Sequence, residues 1–504
     1  MQKLKKILLL ATVFITGACV LIIELVATRI LSPYFGNTIY SYSSVITVIL
    51  AALSLGYYLG GKLADKKPTL VWFYSIILLS GITVFILQIL IIKFLPLLGY
   101  RLSLVNGPLI TSLILFLAPA FFLGTLSPYA IKLLEHSRPE TGIGSISGEV
   151  FFWSTLGSIS GSLSAGFLLI PNFGISNIIL STGLILIILG AVGLFASRLD
   201  KKITLTLTIF CFAVFLSASI FTRLSVNRDL IYYQDGVYER IVIADGVEAG
   251  HRTRYLFQDR SFSTAMFLDS DDLVFEYSKY YDLYQIFSPD AKNILVLGGG
   301  AYTVPKAYFK ALPAAQIDVS EIEPNLFELA KQYFNVPDSP RLKNYLKDGR
   351  RFLHDSKNRY DIIFGDVFHF SIPVHFTTQE FFNSVKSKLS ENGVYIVNII
   401  GSANTPPPSF LYSEMKTFAS VFANSYFFAV SSPTSTRPQN FIFVGYNSDK
   451  IIDFKTAKLP AGDFFTTLPN RLINTETIDF SQYPLLTDNY APVEYLIAAT
   501  LRQY

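Results

Sequence analysis

Cysteine is almost missing from this chain: among 504 residues there are only Cys19 and Cys211, both inside apolar runs. That excludes a disulfide framework in the second half, and any cysteine-ligated metal site there. Charge is scarce as well. Asp, Glu, Lys and Arg make up 15% of the residues, against about 25% in ordinary soluble domains, so a wholly soluble protein is excluded. Also missing is a G-x-G-x-x-G opening a helix, so pyrophosphate binding fits poorly.

What charge there is divides unevenly. Residues 1–225 hold 15 Lys/Arg and 6 Asp/Glu, a net of +9, while residues 226–504 hold 26 and 31, a net of −5. This excludes a single globular core and a nucleic-acid binder with a basic face. The pattern predicts a membrane domain followed by a soluble one.

Seven stretches are long and apolar enough to cross the hydrocarbon layer: 7–31, 41–61, 70–95, 108–131, 149–170, 175–197 and 203–222. In the fifth, Gly157, Gly161 and, with a shifted register, Gly166 are interleaved with serines, which predicts close helix packing. Glu24, Arg29 and Glu149 are costly in hydrocarbon, so partners on other helices are expected. The segment 60–67 resembles the loop between the second and third helices of major-facilitator transporters. With a cytoplasmic N-terminus, inside segments hold 11 Lys/Arg and outside segments 5, the orientation that the positive-inside rule favours. Seven crossings then put the soluble half of a multi-pass cell-membrane protein on the far face; if one segment does not span, it stays on the cytoplasmic side, and the sequence leaves the two open.

The soluble half opens on alternating apolar and polar residues over 231–268, which predicts β-hairpins closed by Asp245-Gly246. A helical stretch over 274–286 follows. From 291 onward strands alternate with helices: strands at 293–297, 316–320, 360–364 and 394–399, helices near 304–311, 325–334 and 379–389. This predicts a parallel, doubly wound sheet. The domains expected are therefore 1–225, 226–290 and 291–504.

In such sheets a ligand sits at the carboxyl ends of the strands. Gly298-Gly299-Gly300 follow the first strand and let the backbone approach a ligand. Glu321 ends the second strand, where a carboxylate can accept from ribose hydroxyls. Asp348, followed by Gly349, lies after the presumed third strand and is placed to accept from an adenine amino group. Asp366 ends the fourth and points at the reacting end. A phosphate-free adenosyl ligand, such as S-adenosylmethionine, fits this set. His369 and His375 are candidates for a catalytic base, and no metal site is expected. Asp488 and Glu494, in the polar stretch 486–494, are candidates to close over the site.

Gly298-Gly299-Gly300, Glu321-Ile322-Glu323, Asp348-Gly349 and Asp366, preceded by Tyr233-Gln234 and a small β-domain, together resemble the polyamine aminopropyltransferases (spermidine synthases). The seven-helix half resembles their membrane-fused bacterial branch. The resemblance implies an α-helical membrane bundle joined to a Rossmann-like, methyltransferase-type α/β domain with a small N-terminal β-domain. It implies ribose binding by Glu321, adenine binding by Asp348, and amine deprotonation by Asp366, the first aspartate of the family's D-[SA]-x-D-P motif. S-adenosylmethionine or its decarboxylated form would be a co-substrate, with no tightly bound cofactor. A homodimer on a lipid bilayer is expected, and no nucleic acid.

Departures from the family pattern touch the amine end. The aspartate of G-G-G-D-G is Ala301, the second aspartate of D-x-x-D-P is His369, and the Tyr-Gln pair before the first α/β strand is replaced by Glu276-Tyr277. Gln234 and Tyr277 remain as substrate-binding candidates. A polyamine acceptor thus stays open beside acceptor-independent displacement or elimination, methyl transfer, and a transporter or sensor with a non-catalytic adenosyl-binding domain.

Overall fold

The computed structural model describes residues 2–197, 200–224, 230–367, 372–403 and 405–497. The chain divides into two compact units, 1–228 and 229–504.

Among the described residues, the first unit contains seven helices long and apolar enough to cross a membrane, at Lys6–Phe35, Ile39–Lys66, Leu70–Gly99, Gly107–Ser137, Ile143–Asn172, Ile175–Ala196 and Lys201–Thr222. Glycines draw six of them into three close pairs. A methyl group on Gly157 or Gly161 would overlap the carbonyl of Phe14 or Ala18 on the first helix, and Ser158 donates to the Gly17 carbonyl at 3.1 Å. Gly60 places the second helix against the fourth, its missing Cβ lying 2.6 Å from Thr125 Cα; Gly190 does the same for the sixth against Leu78 of the third, at 2.8 Å. Glu149 has the partners expected of it, Lys6 at 2.5 Å and Arg138 at 3.2 Å.

Two expectations for this unit are corrected. Gly166 packs against nothing within 4 Å; it lies in a π-helical turn, Ala165–Leu169, beside the exposed Phe167. Residues 60–66 are not a loop but the last turns of the second helix, which ends at Lys66. Close packing of Gly60 on Thr125 keeps that segment helical.

The second unit begins with a four-stranded antiparallel sheet: β1 Tyr232–Asp235, β2 Arg240–Glu248, β3 His251–Gln258 and β4 Ser261–Phe267. Asp245-Gly246 lie inside β2 rather than at its turn, because Asp245 pairs across the strands with Arg254 at 2.7 Å. The turn forms four residues later, at Ala249 and Gly250, both in the left-handed region.

The larger sheet runs in the order β10-β11-β9-β8-β5-β6-β7, with β5 Asn293–Leu297, β6 Gln316–Glu321, β7 Leu342–Leu346, β8 Tyr360–Gly365, β9 Leu389–Gly401, β10 Asn424–Ala429 and β11 Gln439–Tyr446. Strands β5 to β9 are parallel, as expected. The expected all-parallel sheet is corrected at one edge, where β11 and β10 add antiparallel strands after β9. Near-continuous apolar runs, such as Ile294 to Leu297 and Ile362 to Phe364, are wholly buried, as strands covered on both faces require. Residues of the small sheet (Ile241, Ile243, Leu256, Met266) share one apolar cluster with β5 and β6.

Helix Phe410–Val421 buries Glu414 completely, and neither carboxyl oxygen has a hydrogen-bond partner among the described residues. Burial pushes this carboxyl well above its ordinary range, which favours its neutral form in the folded protein. As pH rises past the ordinary range, the unfolded chain loses a proton that the folded chain keeps, so stability falls until the folded group itself ionises. Glu414→Met is therefore expected to raise the unfolding free energy. The gain should grow with pH by up to about 1.4 kcal/mol per unit. Thermal unfolding of both proteins at pH 5 and pH 8 checks this; an equal gain at the two values would refute it.

Candidate active site

The order of the sheet reverses between β5 and β8, and the loops leaving these two strands meet at that switch point. The amide of Asp366 donates to the Leu297 carbonyl at 2.8 Å. Gly298 takes φ +87°, and a side chain there would strike the Asp366 carbonyl. Only glycine permits both the dihedral and the approach. The Gly299 amide donates to Glu321 Oε2 at 2.8 Å, and Gly300 lies under the hydroxyl of Thr264 from β4.

Glu321 is 6% exposed at the end of β6. Its Oε1 accepts from the amides of Ile322 at 2.7 Å and Glu323 at 2.8 Å. A carboxylate has about four acceptor sites; with three amides bound, about one is left for a ligand hydroxyl. Glu321 therefore organises the glycine loop as well as facing the site.

Asp348 caps the helix Gly349–Asp355, accepting from the Arg351 amide at 2.9 Å, and its Oδ2 pairs with His375 Nε2 at 3.0 Å. Burial opposes its charge, but the bonds from His375 and Arg351 outweigh it and hold the carboxyl below its ordinary value. Gly349 brings the helix start against the ring of Phe376, 3.1 Å from where a Cβ would be.

Asp366 is held on both oxygens by neutral donors, Asn398 Nδ2 to Oδ1 at 3.1 Å and Tyr277 Oη to Oδ2 at 3.3 Å. Tyr277 also reaches the Ser263 carbonyl at 3.1 Å, and Asn398 Oδ1 accepts from Asn440 at 2.8 Å. Burial, then the Asp366 charge, push the Tyr277 hydroxyl well above its ordinary value, so it stays a donor. Tyr277 thus lies beside Asp366. His369 lies outside the described residues.

Other expectations are redirected. Gln234 accepts from Tyr232 within β1 and from Asn325 at 3.4 Å, so it ties the small sheet to the larger domain. Asp488 forms a bidentate pair with Arg350, 2.8 and 2.5 Å, and accepts from Thr378 at 2.7 Å. With its oxygens so engaged, it fastens the C-terminal segment rather than facing a substrate. Ala301 is 1% exposed, its amide donating to Thr264 Oγ1 at 3.2 Å, so β4 covers the position of the family's aspartate. Among the described residues no group of three His, Cys, Asp or Glu is arranged to hold a metal.

The roles of two residues escaped sequence reasoning. Asn398 is signalled only by being the one polar residue in the apolar run 394–400. Glu323, 2% exposed, accepts from the amides of Val237 at 3.0 Å and Tyr238 at 2.9 Å, locking the β1–β2 turn over the end of β6. Burial raises its carboxyl above the ordinary value while these amides pull it back.

Five parallel strands extended by an antiparallel pair, with the glycine loop and three acids at their carboxyl ends, define a Rossmann-like domain of the methyltransferase type. A family profile, the spermine/spermidine synthase domain, matches residues 282–456. The chain is 26% identical to a polyamine aminopropyltransferase of Vibrio vulnificus over 293 residues, which span 56% of this chain and 96% of that one. It is 24% identical to polyamine aminopropyltransferase 2 of Aquifex aeolicus over 411 residues, 76% of this chain and 77% of that one, a match that reaches into the helical half. Among solved structures it is similar to a probable spermidine synthase from Corynebacterium glutamicum, with a TM-score of 0.40 and 24% identity over 45% of this chain and 83% of that one. Over its second half the chain carries a spermine/spermidine synthase domain and is similar to polyamine aminopropyltransferases, which are transferases.

Proposed function

We propose that this protein is a membrane-bound, spermidine-synthase-like enzyme that acts on S-adenosylmethionine or its decarboxylated form and releases methylthioadenosine. The observation that carries this reading is the Asp366 carboxylate, held between Tyr277 and Asn398 at the switch point. An amine nitrogen attacks the carbon beside the sulfonium, and the carbon–sulfur bond breaks. Its electron pair stays on sulfur, giving a neutral thioether, and the amine proton passes to Asp366. Because sulfonium leaves readily, orientation and a general base supply most of what the reaction needs.

The buried Ala301 favours a second reading, in which the attacking group belongs to the ligand's own chain and no acceptor binds. A membrane setting is supported by the seven apolar helices and by outward-facing residues such as Leu50, Ile114, Ile188 and Ile209. The charge count favours a cytoplasmic N-terminus, and with seven crossings the soluble half lies on the opposite face.

Right-side-out and inverted membrane vesicles, given decarboxylated or intact S-adenosylmethionine with and without putrescine, test these points together. Methylthioadenosine should form in right-side-out vesicles. Formation without putrescine selects the second reading, and formation only in inverted vesicles overturns the orientation. If neither methylthioadenosine nor adenosylhomocysteine forms in any arrangement, the enzymatic reading falls.

A further inference from the structure

The capping bond from Arg351 fixes Asp348 Oδ1, but Oδ2 is met by a residue 27 positions away, His375. His375 sits in the short turn Val374–Phe376, which crosses the start of helix Gly349–Asp355. Its ring lies against that of Phe376, centroids 4.4 Å apart, and Phe376 in turn packs against Gly349. The backbone of His375 is fixed separately. Its carbonyl accepts from Arg350 Nη1 at 3.1 Å, and Arg350 is clamped by Asp488. Asp488 is held by Thr378, and its amide donates to Glu380 at 2.9 Å. An imidazole 48% exposed is thereby aimed at one carboxylate oxygen.

An ionised carboxylate only accepts hydrogen bonds, so His375 Nε2 must donate to it. With one acceptor site of Oδ1 taken by the helix amide and one of Oδ2 by His375, about two of the four acceptor sites are left for a ligand, one of them on Oδ2 beside the imidazole. A purine with an amino group at position 6 offers a donor there. A 6-oxo purine offers an oxygen, and two acceptors facing each other leave both unpaired, the kind of mismatch by which polar sites reject analogues.

We propose that His375 is the positioning residue that fixes Asp348 as an acceptor-only reader of the base, selecting a 6-amino purine over a 6-oxo purine in the ligand. This inference rests on the adenosyl reading above. It acts through Asp348 and needs no contact between His375 and the ligand.

The test uses the full-length protein in mild detergent, with S-adenosylhomocysteine and S-inosylhomocysteine as probes in titration calorimetry. The unaltered protein should prefer the adenosyl probe. His375→Ala should cut that preference by about tenfold or more, the scale of one hydrogen bond to a charged group. His375→Gln, whose amide can still donate to Asp348, should restore most of it, which a merely structural role would not predict. An unchanged preference in His375→Ala overturns the proposal. So does equal binding of both probes by the unaltered protein, which leaves the adenosyl reading standing. Binding of neither probe overturns the adenosyl reading itself.

Discussion

Asparagine in place of Asp366 is expected to lower the rate of methylthioadenosine release by about 100- to 10,000-fold, the scale of a lost general base. The substitution is isosteric, and the surrounding network can absorb it. The new amide nitrogen can donate to Tyr277 Oη, which is already within 3.1 Å of a second acceptor, the Ser263 carbonyl. The amide oxygen still accepts from Asn398. Folding and affinity for methylthioadenosine should therefore change little, so the loss falls on turnover. Steady-state kinetics beside product-binding titrations separate the two effects. Turnover within a few-fold of the unaltered enzyme would remove Asp366 as the proton acceptor.

Gly157→Ala is expected to disrupt the helical unit, because the added methyl would overlap the Phe14 carbonyl of the first helix. Backbone cannot rotate out of the way as a side chain can. Relief requires the first and fifth helices to separate, which also breaks the Ser158 bond to Gly17 and the close approach at Gly161. Overpacking of this kind costs about 1–3 kcal/mol even where side chains give way. Gly148→Ala, on the same helix with nothing within 4 Å, is the control. There alanine should be neutral or favourable, by up to about 1 kcal/mol. Thermal unfolding and size-exclusion behaviour in detergent report both. Equal tolerance of the two substitutions would contradict the helix pairing.

Much of the fold was legible because its signals are local. Long apolar runs mark the seven helices, and buried-strand runs mark β5, β6, β8 and β9, whose residue types follow from burial on both faces. The antiparallel strands β10 and β11 were missed because no helix separates Asn424–Ala429 from Gln439–Tyr446, so the pair breaks the helix–strand alternation that marks the others. Gly157 and Gly166 look alike in sequence, and only the helix they face distinguishes them. Asp488 reads as a site acid until Arg350, 138 positions earlier, is found against it.

Local signals in the chain were enough for the division into an apolar and a charged half, the alternation of strands and helices, and the positions of Glu321, Asp348 and Asp366 at strand ends; the order of the strands in the sheet came from the fold. The first three follow from periodicity and from the rule that loops at carboxyl ends carry the ligand groups. What each acid faces was settled by the folding of distant segments against one another. Glu321 spends most of its acceptor capacity on backbone amides, Glu323 holds the small sheet, Asp348 is paired by His375, and Asp366 is held by Tyr277 and Asn398. Hydrogen bonds act over about 3 Å, and residues that close in space can be a hundred positions apart in the chain.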